Sequence, residues 1–288
     1  KRDHGAGRIL GMSLEHGGHL THGHGVSMTG KLFKFEHYGV GENGRINYEK
    51  VAKIAKKFKP QLIVCGATAY SRELDFKKFR KIANSVRALL MADISHIAGL
   101  IVGGTHPSPF PYADIVTTTT HKTLRGPRGA VIISKIATSQ VANLAEQIDK
   151  AVFPGLQGGP QLHTIAAMGV ALEEALKPSF KKYAKQVVAN ARVLAEELKR
   201  LGFKVITGGT DNHLMLIDVT PLGLTGKQAG ERLERTGIVV NKNMIPFDPR
   251  KPWDPSGIRL GTPAITTQGM KEKDMIRIAR KIHKVLTD

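Results

Sequence analysis

Cysteine is nearly absent. Cys65 is the one example in 288 residues, so an intramolecular disulfide is excluded and a fold stapled by disulfides with it. It sits in the apolar run Leu62-Ile63-Val64 and reads as core packing in a reducing, cytoplasmic setting. Aromatic residues are scarce at 6%, and no aromatic-interleaved signature of an RNA-binding module is recognised. Long hydrophobic runs are missing too. The longest apolar stretch, 88–104, contains Asp93 and His96, and reads as a buried strand and turn; no membrane span is expected. Lys1-Arg2-Asp3-His4 leads straight into glycines, so no signal peptide is expected there.

Acidic residues are also few, with 24 Asp plus Glu against 43 Lys plus Arg, a net charge of +19. Such an excess raises the question of nucleic acid. The lysines at 50, 53, 56, 57 and 59, at 77, 78 and 81, and at 181, 182 and 185 fall on the polar faces of helix-period segments. Solvated helix faces account for them, and the same basic surface would suit a small anionic ligand. With 41% apolar and 23% charged residues the chain belongs among folded globular proteins, long enough for one large or two ordinary domains.

Periodicity orders the chain. Apolar residues three and four apart predict helices over 48–58 (Val51, Ile54, Ala55, Phe58) and 75–86 (Phe76, Phe79, Ile82, Val86). Short apolar runs predict strands at 8–14, 32–35, 61–66, 88–92, 115–119 and 130–134. This alternation implies an α/β fold of parallel βαβ units with helices on both faces. Longer helical patterns follow at 162–176 and 180–201, the second closed by Gly202. Strands at 204–206, 214–218 and 238–241 then alternate with helices at 226–235 and 271–286. The expected division is a large domain over 1–177 and a smaller C-terminal α/β domain over 178–288.

Lys122 ends the threonine run 117–120 and precedes the turn Gly126-Pro127-Arg128-Gly129, which fixes it at a strand end. A partly desolvated lysine there has a depressed pKa, and its neutral amine can form a Schiff base with an aldehyde. A lone lysine after a strand is ordinarily just solvated. Asp93, at the end of an earlier strand, changes the weighing. Alone it could cap a turn; with the lysine it has the chemistry to hold a pyridine nitrogen protonated. Both lie beyond carboxyl ends of strands, where such sheets bind ligands. The histidines at 16, 19, 22 and 24 crowd a glycine-rich loop without cysteine or a suitable carboxylate pattern, so no metal site is expected.

The segments HGGHLTHG (16–23), AYSRELDF (69–76), TTTTHKTLRGPRG (117–129), VFPGLQGGP (152–160), GGTDNHL (208–214), VNKN (240–243) and SGIRLGTPA (256–264) resemble serine hydroxymethyltransferase, in order, from about Leu10 onward. The resemblance implies a fold-type I pyridoxal-phosphate transferase with a mostly parallel, helix-flanked sheet. It also implies transfer of the hydroxymethyl carbon of L-serine to tetrahydrofolate, giving glycine and methylenetetrahydrofolate, in a homodimer. On matching positions, Lys122 would hold the cofactor, Asp93 would pair with its ring nitrogen and His19 would stack on the ring. Thr68 and His96 would bond the cofactor's oxygens. His121 would tune substrate choice and Thr119 would assist amine exchange. Gly158 and Gly159 would offer backbone N–H groups to a phosphate, normally the neighbouring subunit's. Arg259 would clamp the amino-acid carboxylate, and Leu14, Gly18, His19, Leu20, Asn243, Lys251, Pro252 and Trp253 would border the folate.

Set against the family pattern, a long N-terminal part and a short C-terminal piece are expected to lie outside these residues. The family's proton-handling glutamate falls in that part, so residues 1–288 alone are expected to lack folate-dependent turnover. His24-Gly25 and Ser95 also depart from the family, which more often has serine-proline and alanine there. The competing readings are a folate-independent aldolase for threonine and other β-hydroxy amino acids, and RNA binding through the basic surface.

Overall fold

A computed structural model describes residues 7–288. Strands β1 (Arg8–Met12), β2 (Lys34–Tyr38), β3 (Leu62–Gly66), β4 (Leu89–Asp93), β5 (Ile115–Thr119) and β6 (Ala130–Ser134) form one sheet in the order β2-β1-β3-β4-β5-β6. The first five run parallel. β6 runs antiparallel to β5, so the sheet is mostly parallel, as expected. The physical reason is the connection: ten residues without a helix join β5 to β6, too few for a parallel crossover.

Helices α1 (Met28–Leu32), α2 (Tyr48–Phe58), α3 (Phe76–Ser85), α4 (Ala98–Val102), α5 (Leu144–Lys150) and α6 (Leu162–Leu176) lie between or after these strands. The Asn47 side chain caps α2 by accepting from Lys50 N–H, and Asp75 caps α3 by accepting from Lys78 N–H. The predicted apolar faces turn inward: Val51 and Ala55 of α2, and Phe76, Phe79 and Ile82 of α3, are buried against the sheet. Each buried phenylalanine contributes about 1.5–3 kcal/mol of apolar burial. The second strand starts later than expected, because Ser27 accepts from Gly30 N–H and starts the one-turn helix α1, which takes up Leu32.

Helix α7 (Pro178–Arg200) leads to a second sheet of β7 (Lys204–Val205), β8 (Leu214–Asp218), β9 (Asn241–Asn243) and β10 (Gly257–Gly261), ordered β7-β8-β10-β9 and antiparallel throughout. Expected at 238–241, β9 lies three residues later; Val239 is strongly exposed. Helices α8 (Gly226–Glu234), α9 (Pro263–Thr267) and α10 (Glu272–Thr287) complete this half, where α7, α8 and α10 bury Leu194, Leu198, Leu233 and Ile282 against β8 and β10. The two cores meet along α7: Ala184, Val187 and Val188 pack with the first, Ala191 onward with the second. No helix among the described residues is long and apolar enough to cross a membrane.

Candidate active site

Parallel pairing in the order β1-β3-β4-β5 brings four strand ends side by side. The segments leaving them carry Leu14 to His19, Thr68, Asp93 to His96, and Thr119 to Lys122. Two glycines let these segments close up. A Cβ on Gly66 would lie 2.3 Å from the carbonyl oxygen of Asp93, so β3 and β4 approach only with glycine there. Gly17, at φ +104°, accepts at its carbonyl from the N–H groups of Thr68 and Ala69, docking the loop after β1 on the loop after β3.

Asp93 sits at the centre. Its Oδ2 lies 3.0 Å from His22 Nε2, and its Oδ1 accepts from Ser95 Oγ at 2.6 Å and Ser95 N–H at 3.1 Å. Ser95 Oγ in turn accepts from Thr119 N–H at 3.1 Å, tying the ends of β4 and β5 together. Burial by itself would raise the Asp93 pKa, but the hydrogen bonds from His22 and Ser95 outweigh it and hold the carboxyl well below its usual range. The result is a fixed anion, with lone pairs left over for one further donor.

Lys122 is half-buried and donates from Nζ to Thr119 Oγ1 at 3.2 Å. Desolvation lowers its pKa; Asp93 opposes this, and the positive charges of Arg259 and Arg128 add to it. His96 lies mostly buried, its ring stacked on His213 with centroids 5.8 Å apart and planes 20° apart. Burial first, then His213 and Arg259, push its pKa down to about 2, so the ring is neutral at physiological pH. His19 is also held neutral, by burial and by His22. Thr21 N–H donates to its Nδ1 at 3.2 Å, which places the proton on Nε2. At His121, Arg128 donates to Nε2 at 3.4 Å, leaving Nδ1 as a buried N–H without a partner. The histidines of the 16–24 loop thus diverge: His16 Nδ1 accepts from Val40 N–H, while His22 faces Asp93.

Arg259 reaches this edge from β10. Its Nη1 donates to the carbonyl of Thr68 at 2.8 Å and its Nη2 to Asn241 Oδ1 at 3.1 Å, which leaves other N–H groups of the fork free. The two halves are joined beside it by motifs distant in sequence. Arg72 pairs with Asp211 at 2.8 Å, and Asn212 Nδ2 donates to the carbonyl of Tyr70 at 2.9 Å. The loop after β9 comes back to the loop after β1, with the rings of Phe247 and His16 4.7 Å apart. Leu14, Gly18 and Leu20 therefore lie on one of two touching loops, and Lys251, Pro252 and Trp253 on the other. Lys251 Nζ sits 5.1 Å from the Trp253 ring centroid, and Asn243 Nδ2 donates to the carbonyl of Met244. Gly158 and Gly159 stand apart, in an exposed loop before α6 with open space around them.

Sequence reasoning missed His22, Ser95 and His213 as parts of the site. Ser95, two residues past an aspartate, carried a local signal for a side-chain turn. His22 carried none, since its partner lies 71 residues away. The architecture, a mostly parallel sheet flanked by helices with a lysine and an ionised aspartate at adjacent strand ends, is that of fold-type I pyridoxal-phosphate enzymes. A family model described as serine hydroxymethyltransferase matches residues 4–282. That match spans nearly the whole sequence, and the chain belongs to the serine hydroxymethyltransferase family, transferases that interconvert serine and glycine with pyridoxal phosphate.

Proposed function

We propose that this chain carries the strand-end site at which the protein transfers the hydroxymethyl carbon of L-serine to tetrahydrofolate. The observation that carries the reading is the pairing of a desolvated lysine amine, Lys122, with an aspartate held as an anion, Asp93, on neighbouring strands. The donor set fits pyridoxal phosphate. Lys122 would hold its aldehyde, Asp93 would accept from its ring nitrogen, His19 would lie against the ring, and Thr68 and neutral His96 would bond its oxygens. When bound, the cofactor supplies an electron sink for carbanion chemistry at the substrate's α-carbon. The chain's own groups do the rest. Arg259 orients the amino-acid carboxylate with its free N–H groups. Thr119 holds the Lys122 amine in place for exchange, and His121 offers Nδ1–H beside it. Folate would lie between the two touching loops, bordered by Leu14, Gly18, His19, Leu20, Asn243 and the 251–253 segment, and the +19 net charge suits an anionic co-substrate.

The assembly we infer is a cytoplasmic homodimer. Support for the dimer is α6, a largely apolar helix whose polar residues are His163, Thr164, Glu173 and Glu174, yet which exposes Leu162, Val170 and Leu176. A helix of that kind is ordinarily buried. Gly158 and Gly159 lie just before it, where their N–H groups would meet a neighbour's phosphate. Adding pyridoxal phosphate should give a visible band that shifts with glycine. If Lys122→Ala leaves that band unchanged, the anchor is wrong. Serine turnover should require tetrahydrofolate in the protein that carries the family's proton-handling glutamate, and residues 1–288 alone should show none; equal turnover with and without tetrahydrofolate would favour the aldolase reading.

A further inference from the structure

Beside His96, two imidazoles carry buried nitrogens that no group among the described residues meets. They are His106 Nε2 and His213 Nδ1. Both rings are about nine-tenths buried or more, and both line one small cavity of about 10 Å³, together with His96, Asn212 and Tyr70. His106 comes from the large-sheet half, after α4; His213 stands at the start of β8 in the other half.

The protonation of His106 follows from its contacts. Its Nδ1 lies 2.9 Å from the carbonyl of Pro107, an acceptor only, so Nδ1 must carry the hydrogen. Burial keeps the ring neutral. Nε2 is therefore a bare lone pair turned into the protein interior. Burial first, then Arg259 and His106, push the His213 pKa down to about 3, so that ring is neutral as well. Two buried, unpartnered nitrogens on rings that line one cavity call for a small partner, one that can donate to His106 Nε2. The space is that of one water, and native interiors rarely leave such atoms unmet.

We propose that a single water molecule is a fixed part of this fold, donating one hydrogen to His106 Nε2 and bonding His213 Nδ1, and that through it His213 acts as a positioning residue for the stacked ring of His96. The water bridges the two halves beside the Arg72–Asp211 pair, and it holds the His213 plane against which His96 lies. The proposal rests on geometry and stands whichever reaction the site performs.

The test uses the full chain, by crystallography and by ¹⁵N-histidine NMR. A high-resolution crystal structure should show one ordered water within hydrogen-bond distance of both nitrogens. His106→Leu should remove it, shifting the ¹⁵N resonances of His213 Nδ1 and of His96. His106→Gln, whose amide offers an acceptor in the same place, should retain the water and leave the His96 resonance near its native position. The proposal is overturned by a native crystal without that water, or by His213 and His96 resonances that do not move in a folded His106→Leu protein. A His96 resonance that moves equally in the Gln and Leu variants would overturn the positioning role, since it would reflect general repacking.

Discussion

The strand-end cluster and helix α6 treat water in opposite ways. Around Asp93, charged and polar groups are withdrawn from solvent, and each is met by another: His22 and Ser95 on the carboxylate, Thr119 on both Ser95 and Lys122. Along α6, apolar side chains are offered to solvent, Leu162 at 71% and Leu176 at 78% exposure, with nothing among the described residues over them. The first arrangement holds its anion with partners from within one chain. The second is a surface whose stabilisation waits on another. A polar centre costs little once every member is partnered, whereas an apolar helix gains only when it is covered.

The comparison breaks most sharply at Asp93. Asp93→Asn removes the anion that His22 and Ser95 stabilise and that is proposed to act on the cofactor ring. We expect kcat for serine cleavage to fall by on the order of 10²-fold or more, as when a preorganised electrostatic group is lost. A variant within a few-fold of the native rate would mean that the buried carboxylate is structural only. The α6 side is tested by Leu162→Glu combined with Leu176→Glu. Sedimentation should show a loss of self-association, while unfolding of the separated chain changes by less than about 0.5 kcal/mol, as for exposed positions. An unchanged sedimentation profile would remove α6 from the interface.

These two regions also differ in how far they could be read from sequence. The helices at 48–58 and 75–86 and the strands at 115–119 and 130–134 follow from apolar spacing and lie where expected. Asp93 and Lys122 at strand ends follow from the same spacing. The direction of β6 was recoverable from the length of its connection. β10 was not, because Gly257-Ile258-Arg259-Leu260-Gly261 is short, glycine-bounded and centred on a charge. The support around Asp93 was least legible: His22 looks like one of four loop histidines until the pairing of β1, β3 and β4 brings it across. The apolar character of α6 was plain in sequence, but its exposure is a property of the fold alone.

Lys122 gives a finer test, through pH. Its amine pKa lies below the free value of 10.5, chiefly because of desolvation. Adduct formation with pyridoxal phosphate needs the neutral amine, so its rate should climb as pH rises and level off before pH 10.5. The sign for stability follows: the buried charge is a penalty present below the folded pKa and relieved as pH rises toward the unfolded value. Asp93 opposes the lowering, so in Asp93→Asn the plateau should begin at still lower pH. A plateau that stays at the free-lysine value in both proteins would show that the amine is not desolvated.

The smallest effect is expected at Ser95. Ser95→Ala removes the 2.6 Å hydroxyl bond to Asp93 and the acceptor for Thr119 N–H, but keeps the backbone N–H that also donates to the carboxylate. A hydrogen bond to a charged group contributes about 1.5–3 kcal/mol, and the retained N–H with His22 should limit the loss to the lower end of that range. The pH dependence makes the assignment specific. Asp93 stabilises the fold above its unfolded pKa of 3.8, and that contribution is lost as pH falls through its depressed folded value. With one donor gone the folded value rises toward 3.8, so the variant's deficit should be full at neutral pH and shrink as acid protonates the carboxylate in both proteins. Denaturant unfolding at a series of pH values measures this directly. A deficit that stays constant down to strongly acid pH would mean that Ser95 acts through packing or through Thr119, and not on the Asp93 charge.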